Sequence, residues 1–345
     1  METKVIGYEQ DDLAVESLKA GEVVAFPTET VFGLGVIASK KEAYEKLVKV
    51  KERTPGKPFT LMCSSISMAV RYAEIDVRIA SIMKAFFPGE LTLLLKARKG
   101  LPEWVTLGTG VVGIRVPNDK NLLNLIEKVG EPLLVPSANK SNNPPEVTYE
   151  GVKRVFNGEI ALILKGNCKS KTPSTIADLC SNKPVAIRQG TLSIDDIIAV
   201  WNSAFAKVVV AADHGGFLAK EAIKEHLLKR GFDVEDVGTY SADSCDYPDF
   251  AYALSEKVAS NHGLGVICCT SGEGVCIACN RNPNIRCGIG YDDVVTGKLR
   301  EHNNANVVAF GQKYMALEDI LRRVDIFLSE NFSSEEKHHR RVNKL

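Results

Sequence analysis

The sequence predicts an α/β protein of two domains, the second of which is a doubly wound, Rossmann-like parallel sheet. The chain has 345 residues, which is long for one hydrophobic core and sufficient for two domains. Five short apolar runs follow residue 206, at 207–212, 233–237, 264–269, 286–290 and 305–310. Segments that favour helices alternate with them, at 217–230, 248–260, 275–280, 292–302 and 316–329. Strands that alternate with helices form parallel sheets covered on both faces.

The junction between the domains is predicted near residues 200–206. Ser193 followed by Asp195 and Asp196 indicates the start of a short helix, after which the apolar run at 207–212 begins a new pattern. We therefore expect one domain at 1–203 and another at 204–345.

Composition and charge favour a globular protein of the cytoplasm. Hydrophobic residues make up 45% of the chain and charged residues 25%, which is ordinary for such proteins. No apolar run reaches the roughly 18 residues of a membrane span, and the first segment has no secretory pattern. Lys and Arg exceed Asp and Glu by 26 to 23 in residues 1–206, an excess too small to indicate nucleic-acid binding by itself.

Histidine and cysteine are unevenly distributed. All six histidines follow residue 206, so chemistry in the first domain must proceed without imidazole. Nine cysteines are an odd number and unlike a secreted disulfide framework. Cys276 and Cys279 have CxxC spacing, but without a second such pair we interpret them as small buried residues on a helix. No metal site is expected.

Polar and glycine residues follow the predicted strands of the second domain. Asp213-His214-Gly215-Gly216 follows the first strand, and Cys269 to Gly274 follows the third. Glycines permit a sharp turn, and amides near a thiol favour the thiolate and hold an oxyanion. Glu301-His302-Asn303 offers an acid–base group, and the basic segment 337–341 offers cations for a phosphate. We expect these groups to converge at one sheet edge, although such glycine-rich loops also bind nucleotides.

Five motifs of this half, in order, resemble the ribose-5-phosphate isomerase B family, which includes other sugar-phosphate isomerases. They are AADHGG at 211–216, DYPDFA at 246–251, CTSG at 269–272, ACNR at 278–281 and EHNNANV at 301–307. The resemblance covers nearly all of 207–345. It implies interconversion of ribose 5-phosphate and ribulose 5-phosphate without a cofactor, in a homodimer whose pockets draw residues from both subunits through the C-terminal domain.

The resemblance also implies roles for individual residues. Cys269 would move a proton between C1 and C2, Ser271 with the amides of Gly272 and Gly274 would hold the enediolate, and His302 with Asp213 would open the sugar ring. Substrate contacts would come from His214, Tyr247, Asn303, Lys313, Lys337 and Arg341. Lys313 and Lys337 stand where many relatives have arginine, so phosphate affinity could differ. Where some relatives carry a carboxylate base this chain has Val275, and Glu273 is the weaker substitute.

Hydroxyls, glycines and cations also follow apolar runs in the first half. PTETVFGLG at 27–35 follows a strand predicted over 21–26, and SAN at 137–139 follows the apolar run 133–135. Lys49, Lys51, Arg53 and Lys57 lie within nine residues. This cluster would form a phosphate clamp or, equally, a solvated basic helix end.

These segments resemble the YrdC-like threonylcarbamoyl-AMP synthase family. The further matches are PG-x-LTL at 88–93, GIRVP at 113–117, ST at 174–175 and R-x-G at 188–190. The resemblance spans about 15–195 and implies a twisted mixed sheet with a concave, basic face. It also implies synthesis of threonylcarbamoyl-adenylate from L-threonine, bicarbonate and ATP, with Mg²⁺ accompanying the ATP, for modification of adenosine 37 in tRNA.

The implied roles divide into two sets. ATP would be bound by Lys51, Arg53, Asn139, Ser174 and Arg188, and threonine by Thr28, Thr30, Arg115 and Ser137. Asn142 stands where relatives usually have glycine, and the bulkier residue could alter that loop.

Other functions remain open from the sequence. The first domain could bind RNA or contact tRNA-modification proteins, or it could regulate an active isomerase as a sensor. The isomerase could prefer allose 6-phosphate or galactose 6-phosphate.

Overall fold

The computed structural model of the chain describes residues 2–53, 56–170, 172–181, 183–203, 207–261, 263–333 and 335–345. The chain divides into two compact units. The first unit comprises Met1–Glu74 and Ala85–Trp201, and the second comprises Ile75–Lys84 and Asn202–Leu345. In the described ranges, no helix combines the length and apolar character needed to cross a membrane.

A ten-stranded sheet is the centre of the first unit. Its strands are β1 (Lys4–Ile6), β2 (Val24–Phe26), β3 (Gly33–Ile37), β4 (Thr60–Met62), β5 (Leu91–Lys96), β6 (Val111–Arg115), β7 (Leu133–Leu134), β8 (Leu162–Leu164), β9 (Thr175–Asp178) and β10 (Val185–Arg188). The strand order is β1-β8-β2-β3-β7-β4-β6-β5-β9-β10. Parallel pairs such as β4–β6 and antiparallel pairs such as β5–β6 occur together, so the sheet is mixed, as the resemblance implied.

The helices of the first unit have recognisable end signals. They are α1 (Asp11–Lys19), α2 (Lys41–Lys51), α3 (Ile66–Val70), α5 (Glu103–Thr106), α6 (Lys120–Val129), α7 (Tyr149–Phe156) and α8 (Ile194–Ser203), while α4 (Val77–Phe86) falls mainly in the second unit. In α6, the Asp119 side chain accepts a hydrogen bond from the Leu122 N–H, and Gly130 ends the helix with a φ of 89°. Both features are typical helix caps.

A five-stranded, all-parallel sheet is the centre of the second unit. Its strands are β11 (Lys207–Ala212), β12 (Asp233–Asp236), β13 (Leu264–Cys269), β14 (Cys287–Ile289) and β15 (Val307–Gly311), in the order β12-β11-β13-β15-β14. Every adjacent pair is parallel. The predicted doubly wound fold is therefore confirmed, and β11 and β13 have the same bounds as the predicted strands.

Successive side chains of these strands pack on opposite faces of the sheet. Val208, Val210 and Cys268 belong to one core cluster, whereas Val209 and Cys269 belong to the other.

The helices of the second unit are α9 (Phe217–Lys229), α10 (Tyr247–Asn261), α11 (Glu273–Cys279), α12 (Asp293–Asn303), α13 (Leu317–Ser329) and α14 (Glu336–Val342). The first five agree with the predicted segments. The sixth, α14, is not predicted by the sequence, in which this basic segment indicates only a cationic cluster.

Candidate active sites

The first unit contains a cleft of about 990 Å³ that joins segments distant in sequence. Of the nine residues predicted to bind ATP or threonine, eight line it: Thr28, Lys51, Arg53, Arg115, Ser137, Asn139, Ser174 and Arg188. The ninth, Thr30, is fully buried behind the lining. Lys51 and Arg53 come from the end of α2 and the segment just after it, and the others come from strands of the mixed sheet and the adjoining loops. The fold thus brings two separate sequence patterns to one surface.

Lys51 ends α2 and points its ammonium group into the cleft wall. Nζ donates hydrogen bonds to the Ser137 carbonyl at 2.6 Å, the Asn139 carbonyl at 2.7 Å and the Asn139 Oδ1 at 2.6 Å. Burial, together with the charge of Arg53, lowers the pKa of Lys51 to about 7. The three acceptors are neutral, so the side chain is held in place without its charge being cancelled by a carboxylate.

Two arginines occupy other parts of the wall. The Arg53 guanidinium lies 4.7 Å from the centre of the Phe59 ring, a cation–π arrangement that fixes its plane. Arg188 donates to the Ser174 carbonyl from Nε at 3.0 Å and from Nη2 at 2.8 Å. Burial lowers the pKa of both arginines. The cleft therefore presents three cations, the buried Lys51, the half-buried Arg53 and the exposed Arg188, and such a set can bind a polyphosphate.

A buried ion pair supports the predicted threonine side of the cleft. Arg115 Nη2 lies 2.9 Å from Glu29 Oε1 and donates to Thr30 Oγ1, also at 2.9 Å. Thr30 Oγ1 is in turn 2.9 Å from Thr28 Oγ1. Glu29 is only 3% exposed, yet the sequence interpretation gave it no role. The sequence signal that could have identified Glu29 is its position between Thr28 and Thr30, both of which are predicted to bind threonine.

Asn142 lines the cleft and keeps the backbone conformation that a glycine would provide. Its φ is 68°, in the left-handed region that asparagine tolerates better than most residues. The loop therefore makes a left-handed turn at Asn142.

In the second unit, Cys269 lies at the carboxyl end of β13. Its Sγ accepts a hydrogen bond from the Gly272 N–H at 3.0 Å, so an amide of the loop is directed at the thiol. Gly272 has a φ of 87°, which turns the loop back toward the cysteine. A Cβ at Gly216 would lie 2.3 Å from the Cys268 carbonyl carbon, so this glycine lets the first loop approach the end of β13.

Other predicted residues share this carboxyl edge. The Asp213 carboxylate accepts the Gly216 N–H at 3.1 Å, and burial raises the pKa of that carboxyl group. His214 Nδ1 accepts the Cys245 N–H at 3.3 Å. The Tyr247 ring lies over Gly274, where an added Cβ would approach it to 3.1 Å. Ser271 lies in the same loop as Cys269, and the Lys313 N–H donates to the Thr270 carbonyl at 3.1 Å.

His302 and Asn303 lie at the opposite edge, which corrects the expectation that all groups converge. They end α12, the helix that returns from the carboxyl end of β14 to the amino end of β15. Val307 at the start of β15 is paired with Gly265, and Gly311 with Cys269. The four residue steps of β15 from Val307 to Gly311 span about 13 Å. Within one chain, this length of strand separates the edge that carries His302 from the edge that carries Cys269.

The C-terminal cations accompany His302 rather than Cys269. Helix α14 packs against α12, where the His338 ring stacks on the His302 ring at 4.2 Å between centroids. Lys337 Nζ is 2.7 Å from Glu335 Oε2, and Arg341 is exposed. Partial burial, with the charge of Lys298, lowers the pKa of His302. His302, Asn303, Lys337 and Arg341 thus form a second group at the amino edge.

The CxxC cysteines adjoin a third thiol that the sequence did not associate with them. Hydrogen bonding to Cys287 lowers the pKa of Cys276 and of Cys279. Within the part of the chain that the structure describes, no group of three or more His, Cys, Asp or Glu residues is arranged to hold a metal ion. Both cysteines lie on α11, as expected, but only Cys279 is buried and Cys276 is partly exposed.

Comparisons with known proteins divide the chain at the same place as its two sheets. The family model described as telomere recombination, which represents Sua5, YciO and YrdC, matches residues 16–190. The model described as ribose/galactose isomerase matches residues 208–345.

Individual relatives match one part or the other. Threonylcarbamoyl-AMP synthase of Pyrococcus abyssi is 34% identical over 54% of this chain, which spans 55% of that relative's length. The probable ribose-5-phosphate isomerase B of Mycoplasma genitalium is 34% identical over 40% of this chain and 92% of its own. The crystal structure of Escherichia coli YciO has a TM-score of 0.53 at 28% identity, covering 57% of this chain and 98% of its own.

Proposed function

Since the chain belongs to the YrdC-type family over residues 16–190 and to the ribose/galactose isomerase family over residues 208–345, we propose that it is a bifunctional enzyme. Its second unit interconverts ribose 5-phosphate and ribulose 5-phosphate. Its first unit makes threonylcarbamoyl-adenylate from L-threonine, bicarbonate and ATP, releasing pyrophosphate. The product serves the modification of adenosine 37 in tRNA.

Cys269 carries the isomerase proposal. The thiolate removes the proton from C2 of the open-chain aldose, and the electron pair forms the C1–C2 double bond of an enediolate with negative charge on O1. The same thiol returns the proton to C1 while the hydroxyl proton on O2 passes to O1, so that C2 becomes the carbonyl carbon and C1 carries the new hydroxyl group. The observation that supports this is the Gly272 N–H directed at Sγ at 3.0 Å, in a loop whose further amides and Ser271 can hold the charge on oxygen.

The remaining isomerase groups come from a second copy of the chain. His302, acting with Asp213 to open the sugar ring, and Asn303, which contacts the sugar oxygens, both have to reach the Cys269 edge. Within one chain the sheet separates them, so a homodimer in which each subunit supplies one edge completes two sites. His214 and Lys313 then hold the phosphate from one side, and Lys337 and Arg341 of the other copy hold it from the opposite side.

Exposed apolar side chains support such an interface. Ile277 on α11 is 65% exposed, and Tyr291 just before α12 and Val294 in its first turn are each 60% exposed. Tyr252 on the adjoining α10 is 47% exposed. Large apolar residues grouped on a soluble protein usually mark an interaction surface. These residues are the ones that we expect a second copy to cover.

The cleft of the first unit carries the synthase proposal, because eight of the nine predicted residues line it. Lys51 and Arg53 bind the triphosphate and offset the charge that develops on the departing pyrophosphate. Ser174, Asn139 and Arg188 contact the nucleotide. Arg115, fixed by Glu29, binds the threonine carboxylate beside Thr28, Thr30 and Ser137. Bicarbonate supplies the carbamoyl carbon.

Mg²⁺ enters this proposal as part of the ATP substrate. The cleft fits that arrangement, since among its described lining residues Asp178 offers a carboxylate, and Mg²⁺ bound to nucleotide keeps mainly phosphate and water ligands. The ion neutralises phosphate charge when it is bound. Residues of the chain hold and orient the nucleotide and exclude water around it.

Two substitutions, each tested against both reactions, decide the proposal. Cys269→Ala is expected to abolish isomerisation of ribose 5-phosphate and leave pyrophosphate release dependent on ATP and threonine unchanged. Lys51→Ala is expected to do the reverse. Cys268→Ala and Lys49→Ala are the matched controls, because Cys268 packs on the other face of the sheet and Lys49 is exposed outside the cleft.

Each competing function has its own outcome in this experiment. Faster turnover of allose 6-phosphate or galactose 6-phosphate than of ribose 5-phosphate would change the proposed substrate but leave the proposed mechanism unchanged. If the protein binds tRNA in a filter-binding assay but releases no pyrophosphate, the first unit is an RNA-binding module and not a synthase. Normal isomerase turnover by Cys269→Ala would remove Cys269 as the base.

A further inference from the structure

We propose that the second unit has an additional binding site for a small phosphate-type anion, built by Arg286 and Arg300 at the amino ends of its parallel strands. A pocket of about 350 Å³ lies there, between the end of α10, the start of β13 and the turn from α12 to β15. It is on the opposite edge of the sheet from Cys269. None of the roles assigned to the isomerase uses its lining residues.

Both guanidinium groups are held in place by the turn between α12 and β15. Arg300 Nη1 donates to the Asn304 Oδ1 at 3.1 Å and to the Ala305 carbonyl at 2.6 Å. Arg286 Nε donates to the Asn304 carbonyl at 3.0 Å. Two arginines fixed on one residue are pre-organised, so a ligand that binds them loses little side-chain entropy.

Hydrogen-bonding capacity is left over in this arrangement. The described hydrogen bonds of the Arg300 side chain use Nη1, which leaves Nη2 for an acceptor in the pocket. For Arg286 the described contacts of the side chain use Nε, which leaves its two terminal nitrogens for an acceptor in the pocket. An oxyanion is the ligand that satisfies several guanidinium donors at once.

Charge favours the same ligand. Across the residues that the structure describes, neither arginine has a carboxylate within salt-bridge distance. Burial and then the charge of Arg286 lower the pKa of Arg300, and burial and then the charge of Arg300 lower the pKa of Lys84 to about 8. Glu330 offsets part of this charge. Neighbouring cations repel each other, and a bound dianion converts that repulsion into attraction.

The lining also limits the kind of anion. Asn284, Asn304 and Asn306 contribute amide groups, and the described lining includes no aromatic ring on which a nucleobase would stack. The pocket therefore suits inorganic phosphate, pyrophosphate or the phosphate of a small polyol better than a nucleotide. This inference does not depend on the proposed activities, because binding is measured with phosphate itself.

The binding test needs a chain whose other phosphate sites are weakened. In a Lys51→Ala, His214→Ala, Arg341→Ala background, equilibrium dialysis with radiolabelled phosphate and pyrophosphate is expected to detect one site per chain. Arg286→Gln and Arg300→Gln, each added to that background, are expected to weaken binding at least about tenfold. Arg281→Gln removes an exposed charge five residues away, outside the pocket, and is expected to change nothing. Absence of binding in the background, or equal binding by Arg286→Gln, overturns the proposal.

A second measurement uses the unaltered chain, because Arg300 also holds the α12–β15 turn and its substitution can unfold it. Phenylglyoxal modification of each arginine is followed by peptide mass spectrometry with and without pyrophosphate at constant ionic strength. Arg286 and Arg300 are expected to be protected several-fold and Arg281 to react equally in both conditions. Equal modification of all three arginines in both conditions contradicts the site.

Discussion

The two proposed active sites differ in how much of each site one chain supplies. In the first unit, predicted residues from six separate sequence segments line a single cleft of about 990 Å³. In the second unit, the predicted residues separate into a carboxyl-edge group around Cys269 and an amino-edge group around His302. Sequence motifs therefore predict which residues belong to a site. Whether those residues lie close together in one chain depends on the topology of the sheet.

The physical reason is the direction of the connections. In a parallel sheet every helix returns the chain from the carboxyl edge to the amino edge, so residues that end a helix lie away from residues that end a strand. The mixed sheet has antiparallel pairs such as β5–β6 and β2–β3, which bring strand ends and strand starts to the same side. Its site can be assembled within one subunit.

The largest expected effect tests whether two copies complete the isomerase site. Cys269→Ala and His302→Ala homodimers are each expected to lose roughly 10²- to 10⁴-fold in turnover. When the two variants are mixed, unfolded and refolded together, half of the dimers are mixed and each has one intact site. Isomerase activity is then expected to recover to about a quarter of the unaltered level. Turnover of ribose 5-phosphate measures it.

A control with one doubly substituted chain tests whether mixing and refolding restore activity for any reason other than completion of a shared site. Cys269→Ala/His302→Ala subunits mixed with unaltered ones produce mixed dimers in which each site lacks one residue. Those dimers are expected to be inactive, so activity falls to that of the unaltered homodimers present. If the two single variants fail to complement, His302 acts within its own chain or has no catalytic role.

Much of the second unit could be predicted from the sequence, because apolar strands and amphipathic helices alternate there at short, regular intervals. The predicted helix over 217–230 compares with Phe217–Lys229, and the predicted strand over 264–269 with Leu264–Cys269. Helix α14 was not predicted, since its polar sequence has no apolar stripe. It is anchored by His338, which is 5% exposed and stacks on His302, a tertiary contact that local pattern does not encode.

For the first unit, the sequence motifs predict which residues lie together along one cleft better than they predict the strands. Motifs identified the eight lining residues, yet most strands of the mixed sheet have three to five residues and carry little periodic signal. Glu29 was missed because its role arises from a partner 86 residues away in sequence. The pairing forms because the sheet topology places the β2–β3 loop, which contains Glu29, next to the end of β6, which contains Arg115.

The buried Glu29–Arg115 pair makes the self-contained site sensitive to one substitution. Glu29→Gln leaves the Arg115 charge buried without its carboxylate, and we expect the free energy of unfolding of the first unit to fall by about 3 kcal/mol. Urea unfolding followed by tryptophan fluorescence measures it, because both tryptophans, Trp104 and Trp201, belong to that unit.

Glu22→Gln is the matched control for this prediction. Glu22 pairs with Lys46 at 2.6 Å, but the two side chains are 41% and 45% exposed. Such surface pairs contribute below about 1 kcal/mol. Equal losses for the two variants would mean that the buried pair is not what organises the cleft.

The smallest expected effect concerns pH and distinguishes the cations of the two sites. Lys51 has a pKa lowered to about 7, so raising the pH from 7 to 8.5 removes the ammonium charge from the free protein. ATP affinity is then expected to fall, by at most about tenfold per pH unit, and calorimetric titration measures it. Lys51→Arg keeps its charge throughout this range, so its ATP affinity should stay level. A parallel decline in both proteins would assign the pH dependence to another group. The pH response therefore distinguishes a cleft whose cations include one buried lysine from the proposed isomerase site, where the exposed Arg341 is proposed to hold the phosphate.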